Sequence, residues 1–475
     1  MKRKISIILA SCLLMAGILG GCGNSQNGNA AGGQETADNQ AAELNQEKDE
    51  QGTETSAAET EAAMEDAGNG EEVTITLIGW EASALETEAI NNGIAQFEEA
   101  NPGIKVNYTT VPSGTSYSAK LLSSAASGTL PDVMFMESMS YRTFAYKDTL
   151  MDLTDKFDAD FALDDFVESS QGIMDVDGKV YGVSSSSVMP IVFYNRDLFD
   201  AAGIPYPSTN PADTWTIEEF RDIAKKLTNE DTYGVYGLEN AGMWPALTNA
   251  NGGGYFNEDY TASAFNCAEN KQVFEMIKAL RVEDKSAPVA SILDSVGMSD
   301  TQMLANGKIA MLLDGSWSLQ ELATLDFNCG MAPLPRLTDG PSVSSAQAHL
   351  YCISKTSEHP QEAWKLIQFL CSIDFQKSLV SSGLWLPNRH SLYTEEGVEG
   401  WYNEEAMGED YRAMVGYFES AKADERPFQI TSKCTDIINE EMGMFFQEDA
   451  DLDTALANVE ERMNEAIKEA QEELK

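Results

Sequence analysis

Residues 73–111 read VTITLIGWEASALETEAINNGIAQFEEANPGIKVNYTTV, and their pattern decides the fold. Val73 to Ile78 alternates and is rich in β-branched residues, which predicts a strand. Leu85, Ala89, Ile90, Ile94 and Phe97 then recur at helical spacing, and Asn101-Pro102-Gly103 stops the helix. Ile104 to Val111 reads as a second strand. The pattern continues outward with a helix over Tyr117–Ser127, a stop at Gly128, and a third strand, Val133 to Met136, after Pro131-Asp132. A β-α-β-α-β order calls for a parallel sheet covered by helices. Ligands of such sheets bind beyond the carboxyl ends of the strands. Gly79-Trp80-Glu81, Pro112 to Ser116 and Glu137-Ser138 occupy those ends.

The N-terminus carries a different signal. Lys2, Arg3 and Lys4 precede an apolar run from Ile5 to Leu19, shorter than the ~20 residues of a membrane-spanning helix. This describes a secretory leader. It ends in Leu19-Gly20-Gly21-Cys22, which resembles the bacterial lipobox. The resemblance implies cleavage after residue 21 and acylation of Cys22. Residues 23–72 are Gly, Asn, Gln, Ala, Ser, Thr and Glu with little apolar bulk, so they are expected to form a disordered acidic tether.

The chain has 475 residues and a formal net charge of −46. Such acidity argues against nucleic acid and anionic headgroups as partners, so membrane attachment would come from the lipid. The folded part, from Val73 onward, is too long for one core, and two lobes are expected. Apart from Cys12 and Cys22, the cysteines are Cys267, Cys329, Cys352, Cys371 and Cys434. None pair at a metal-ligand spacing. They read mostly as buried free thiols, with one bridge open. No cofactor or metal is expected.

From Val73 to Lys475 the chain resembles the extracytoplasmic solute-binding proteins of ABC importers, in the carbohydrate group that includes maltose-binding protein. Phe97 to Val106 matches that family's F-x-x-x-x-P-x-I-x-V, and Leu130-Pro131-Asp132-Val133 its third strand. Phe193-Tyr194-Asn195-Arg196-Asp197-Leu198-Phe199 matches Y-N-K-D-L-F. Gly203-Ile204-Pro205, Trp215 to Phe220, Gly307 to Met311, Asp314-Gly315-Ser316-Trp317, His359 to Lys365 and Leu386-Pro387 follow in the family's order. The resemblance implies a two-lobe α/β fold of the periplasmic-binding-protein type, each lobe a mainly parallel sheet flanked by helices, around a hinged cleft. It places lobe I at 73–185 plus 335–380 and lobe II at 186–332 plus 388–475. The crossings would lie near Ser184 to Val192, Pro333 to Gly340 and Trp385 to Arg389. It also implies permease subunits as partners, a membrane-anchored extracytoplasmic location and a monomer.

A sugar has apolar C–H faces and a girdle of hydroxyls, so aromatic rings and carboxylates suit it. On that chemistry and the family motifs, the expected ligand-binding residues are Trp80, Glu81, Ser113, Glu137, Tyr194, Trp244, Asp314, Trp317 and Trp385. Thr115 is a further candidate. Trp215 and Trp364 read as structural, and Trp401 has no assignment. Ser344 to His349 departs from the Gly-Gly pair common in the family, which leaves that segment's contacts open. A glycosidase would need two facing carboxylates, and no motif fixes such a pair. No H-E-x-x-H, G-x-S-x-G or Walker pattern occurs. The expectation is a binding protein and not an enzyme, with a surface ligand sensor of the same fold as the alternative.

Overall fold

A computed structural model describes residues 72–473 except 82, 113–114, 241–242, 258, 289–296, 424–430 and 449. The leader, Cys22 and the tether lie outside the described residues, as does Ser113.

The opening pattern forms β1 (Val73–Glu81), α1 (Ala84–Ala100), β2 (Ile104–Pro112), α2 (Thr115–Ser127), β3 (Val133–Glu137) and α3 (Ser138–Tyr146). β1 lies between β2 and β3 and is parallel to both. α1 begins at Ser83, whose hydroxyl accepts from the Glu86 amide, a standard N-cap. It buries Glu86, Ile90, Gly93, Ile94 and Phe97, a helical stripe. β3 is buried from Val133 through Met136, as expected of a strand covered on both faces.

After α4 (Glu168–Met174) and the short hairpin β4 (Asp175–Val176) and β5 (Lys179–Val180), β6 (Gly182–Val188) joins the first sheet. Met189 alone separates it from β7 (Pro190–Asn195), the centre of a second sheet. β8 (Met311–Gly315) and β9 (Cys329–Ala332) flank β7. The chain returns to the first sheet in β10 (Ser345–Ile353), which runs antiparallel to β3 and β6 and takes β11 (Lys422–Ala423) along its start. A third connection runs through residues 384–389, where Leu386 and Ser187 exchange backbone hydrogen bonds.

The second sheet departs from expectation: β7 is antiparallel to both neighbours, not mainly parallel. The reason is positional. Gly315 pairs with Pro190, so β8 ends beside the start of β7, at the boundary between the sheets. A parallel β8 would carry the following turn to the far side of the lobe. Side chains of β7 alternate between two cores. Val192 and Tyr194 enter one with the helices Ala268–Val282 and Leu452–Glu473. Ile191 and Phe193 enter another with Trp401, Tyr411 and Tyr417. The five cysteines from Cys267 to Cys434 are all free thiols.

Candidate functional site

A cavity of about 820 Å³ opens where the first sheet's strand ends meet the turn after β8. It brings together four of the expected residues, Trp80, Glu137, Trp317 and Trp385. A second cavity, of about 980 Å³, lies around Asn249, Tyr255, Glu168 and Glu419, and none of the expected residues lines it.

Trp80 is the penultimate residue of β1. Its ring lies 4.3 Å from Phe135 and edge-on to Tyr117 at 5.5 Å, and the Tyr117 hydroxyl donates to the Phe135 carbonyl. The platform is therefore held from beneath by the sheet. Trp385 sits on the third connection with φ of 61°. A bulky residue there costs on the order of 1–3 kcal/mol and persists where surrounding structure dictates it. His349 stands edge-on between the two, 4.9 Å from Trp80 and 5.6 Å from Trp385. Burial holds its pKa down to about 4, so the imidazole is neutral near pH 7.

Trp317 comes from the other side and packs against cores of both sheets. Its ring lies directly over Gly315, where a Cβ would stand 2.2 Å from the indole. Only glycine leaves room for that ring, which is why the motif reads Gly-x-Trp. Asp314 spends its carboxylate locally: one oxygen accepts from the Gly315 amide, the other from Ser318 Oγ. It shapes the turn and does not line the cavity, so its expected ligand role is corrected.

Glu137 is the N-cap residue of α3, yet its side chain makes no capping bond. Burial raises its pKa. Glu86 also lines the cavity, 4 % exposed. It sits in the first turn of α1, where the helix dipole favours the carboxylate. Burial outweighs this and lifts its pKa to about 7. Ser83 Oγ donates to Gln320 Oε1 at 2.7 Å, joining the β1–α1 turn to the segment after Trp317.

Two aromatic expectations are also corrected. Tyr194 is 1 % exposed, its ring lying against Gly330 and Phe199 inside the second lobe. Trp244 opens the helix Trp244–Ala250 and is packed among Phe265, Phe274 and Tyr255. Neither reaches the cavity. Glu81 ends β1, paired with Pro112. Trp215 donates its indole N–H to the Pro333 carbonyl and Trp401 to that of Leu392, both structural roles. Sequence reasoning missed Glu86, His349 and Gln320. Glu86 carried one usable signal, its place one turn into a helix that follows a strand end.

The profile of the bacterial extracellular solute-binding protein family matches residues 83–377. A galactooligosaccharide-binding protein of Bacillus subtilis is 24% identical over 330 residues, 68% of this chain and 75% of the relative. An ABC substrate-binding protein from Listeria monocytogenes, solved with cycloalternan, superposes with a TM-score of 0.74 at 25% identity, covering 84% of this chain and 100% of that one. The sugar-binding protein MalE from Xanthomonas citri superposes at 0.71 with 21% identity, over 84% and 98% of the two chains. The crossing strands, the cavity at the sheet boundary and the matched profile agree: the chain belongs to the bacterial extracellular solute-binding protein family.

Proposed function

We propose that the protein captures a sugar or oligosaccharide outside the cell and delivers it to an ABC importer, acting by binding and not by catalysis. One observation carries this reading. Three tryptophans from three separate segments, Trp80, Trp317 and Trp385, surround a cavity that also holds the carboxyls of Glu86 and Glu137. Flat rings suit sugar C–H faces, and carboxyls suit hydroxyls. The sugar-binding relatives support the same assignment. In this reading the lobes are 73–185 plus 335–380 and 186–332 plus 388–475, and they close on the ligand by hinge motion at the crossings.

The test is thermal melting with a panel of mono- and oligosaccharides, amino acids and peptides. A ligand of the folded state raises the midpoint by mass action. At least one saccharide is expected to do so, and a shift by amino acids or peptides alone would overturn the sugar assignment.

Anchoring through Cys22, with release of residues 1–21, is part of the same proposal and rests on the Leu19-Gly20-Gly21-Cys22 motif. Cys22→Ser is expected to move the protein from membranes to the soluble fraction. Unchanged retention would remove the lipid from the account.

A further inference from the structure

We infer that Glu86 and Glu137 make the cavity a charge filter, which admits uncharged saccharides and turns away sugar acids and sugar phosphates. The inference rests on the saccharide reading above and concerns which saccharides fit.

Among the described residues, the cavity lining includes Glu86, Glu137 and Glu321 but no Lys or Arg. The one basic side chain there, His349, is kept neutral by burial. A ligand carboxylate or phosphate entering this space would lose water and meet no cation. It would instead face the two inner carboxyls, and above the raised pKa of Glu86, about 7, that group carries a full negative charge. Desolvating an unpaired anion is costly, and like charges a few ångströms apart repel strongly in a partly dry site. Among the described residues, no hydrogen-bond donor meets either carboxyl. Glu86 is nevertheless 4 % exposed and lines the cavity. A buried carboxyl that no described donor meets is open to ligand hydroxyls, which satisfy it without adding charge. Glu321, exposed at the mouth, extends the same sign outward. Specificity arises here by placing an unpaired charge against the wrong ligand class.

The experiment is calorimetric titration at low ionic strength and pH 8, above the raised pKa of Glu86, of the mature chain with matched pairs: galactobiose against digalacturonate, and maltose against maltose 6′-phosphate. In at least one pair the neutral member is expected to bind at least about tenfold tighter. Glu86→Gln and Glu137→Gln keep shape while removing charge, and each is expected to narrow that ratio several-fold. Equal or tighter binding of the anionic members by the wild type would overturn the filter, with no reliance on the variants. A ratio unchanged in both variants would also overturn its assignment to these residues. If no member of either pair binds and neutral sugars give no thermal shift, the saccharide reading itself fails, a distinct result.

Discussion

Two groups of aromatic residues carry similar sequence signatures and end in opposite roles. Trp80, Trp317 and Trp385 line the cavity, while Tyr194 and Trp244 fill the core of the second lobe. All five stand beside glycines, turns or strand ends, where a binding residue is expected. What separates them is the cavity and not burial, since Trp80 and Trp385, 5 % and 4 % exposed, are as enclosed as Trp244 at 3 %. Trp244 is ringed by Phe265, Phe274 and Tyr255, and Tyr194 is pressed on Gly330. Trp317 rests on a glycine too, but its surroundings come from two sheets that meet only in part, so one side stays open. A glycine beneath a ring marks close approach and does not tell core from cleft.

The sharpest test of this contrast is Trp244→Ala. Emptying a packed aromatic site is expected to cost about 3–5 kcal/mol of stability, read as a large fall in the denaturation midpoint. Affinity of the fraction that remains folded should be nearly unchanged. A selective loss of ligand binding without destabilisation would return Trp244 to the site.

Next in size is a pH effect at Glu86. Its pKa lies near 7 in the folded chain, above the ordinary carboxyl value of 4.5, because burial disfavours the charge. The group's contribution to stability is therefore complete below pH 4.5 and is lost as pH rises through about 7. The span amounts to roughly 3 kcal/mol if the burial cost is fully felt. Glu86→Gln should melt progressively higher relative to wild type between pH 4.5 and 8. A difference independent of pH would contradict the burial argument.

Trp317→Ala is expected to reverse the pattern of Trp244. Ligand affinity should fall by roughly 1–3 kcal/mol, while the melting temperature moves less than for Trp244→Ala. Equal affinity in a folded variant would take Trp317 out of the site. The smallest effect is expected at Gln320→Ala. It removes the bond to Ser83 that spans the two sides of the cavity, a net of about 1 kcal/mol. The dissociation rate should rise a few-fold with little change in stability, and an unchanged rate would mean the bond does not bear on release.

Much of the first sheet was readable from residues 73–137 because hydrophobic period and Pro-Gly stops are local signals. The helix expected from Leu85 to Ala100 runs from Ala84 to Ala100, and the third strand reaches Glu137. The direction of the second sheet was not readable. β7, β8 and β9 are short apolar runs, and nothing within such a run encodes which way its partner points. The cavity lining was readable where position alone decides, as for Trp80 and Glu137 at strand ends. It was not readable where burial decides. Glu86 looks like an ordinary charged residue in the first helical turn. Its burial belongs to a cavity it shares with His349 and Trp385, hundreds of positions away in sequence. Asp314 differs in the opposite way: its oxygens accept from Gly315 and Ser318 in its own turn, and the residue does not line the cavity.

The seat of Trp317 on Gly315 has a consequence for how this cavity could change its dimensions. The indole cannot sink further, because the backbone is already beneath it, and any methyl group added at Gly315 would have to push it outward. The depth of that wall is thus gauged by a residue that need not touch the ligand. A one-carbon change there would narrow the chamber while leaving its chemical lining as it is, so size preference and chemical preference can be adjusted separately.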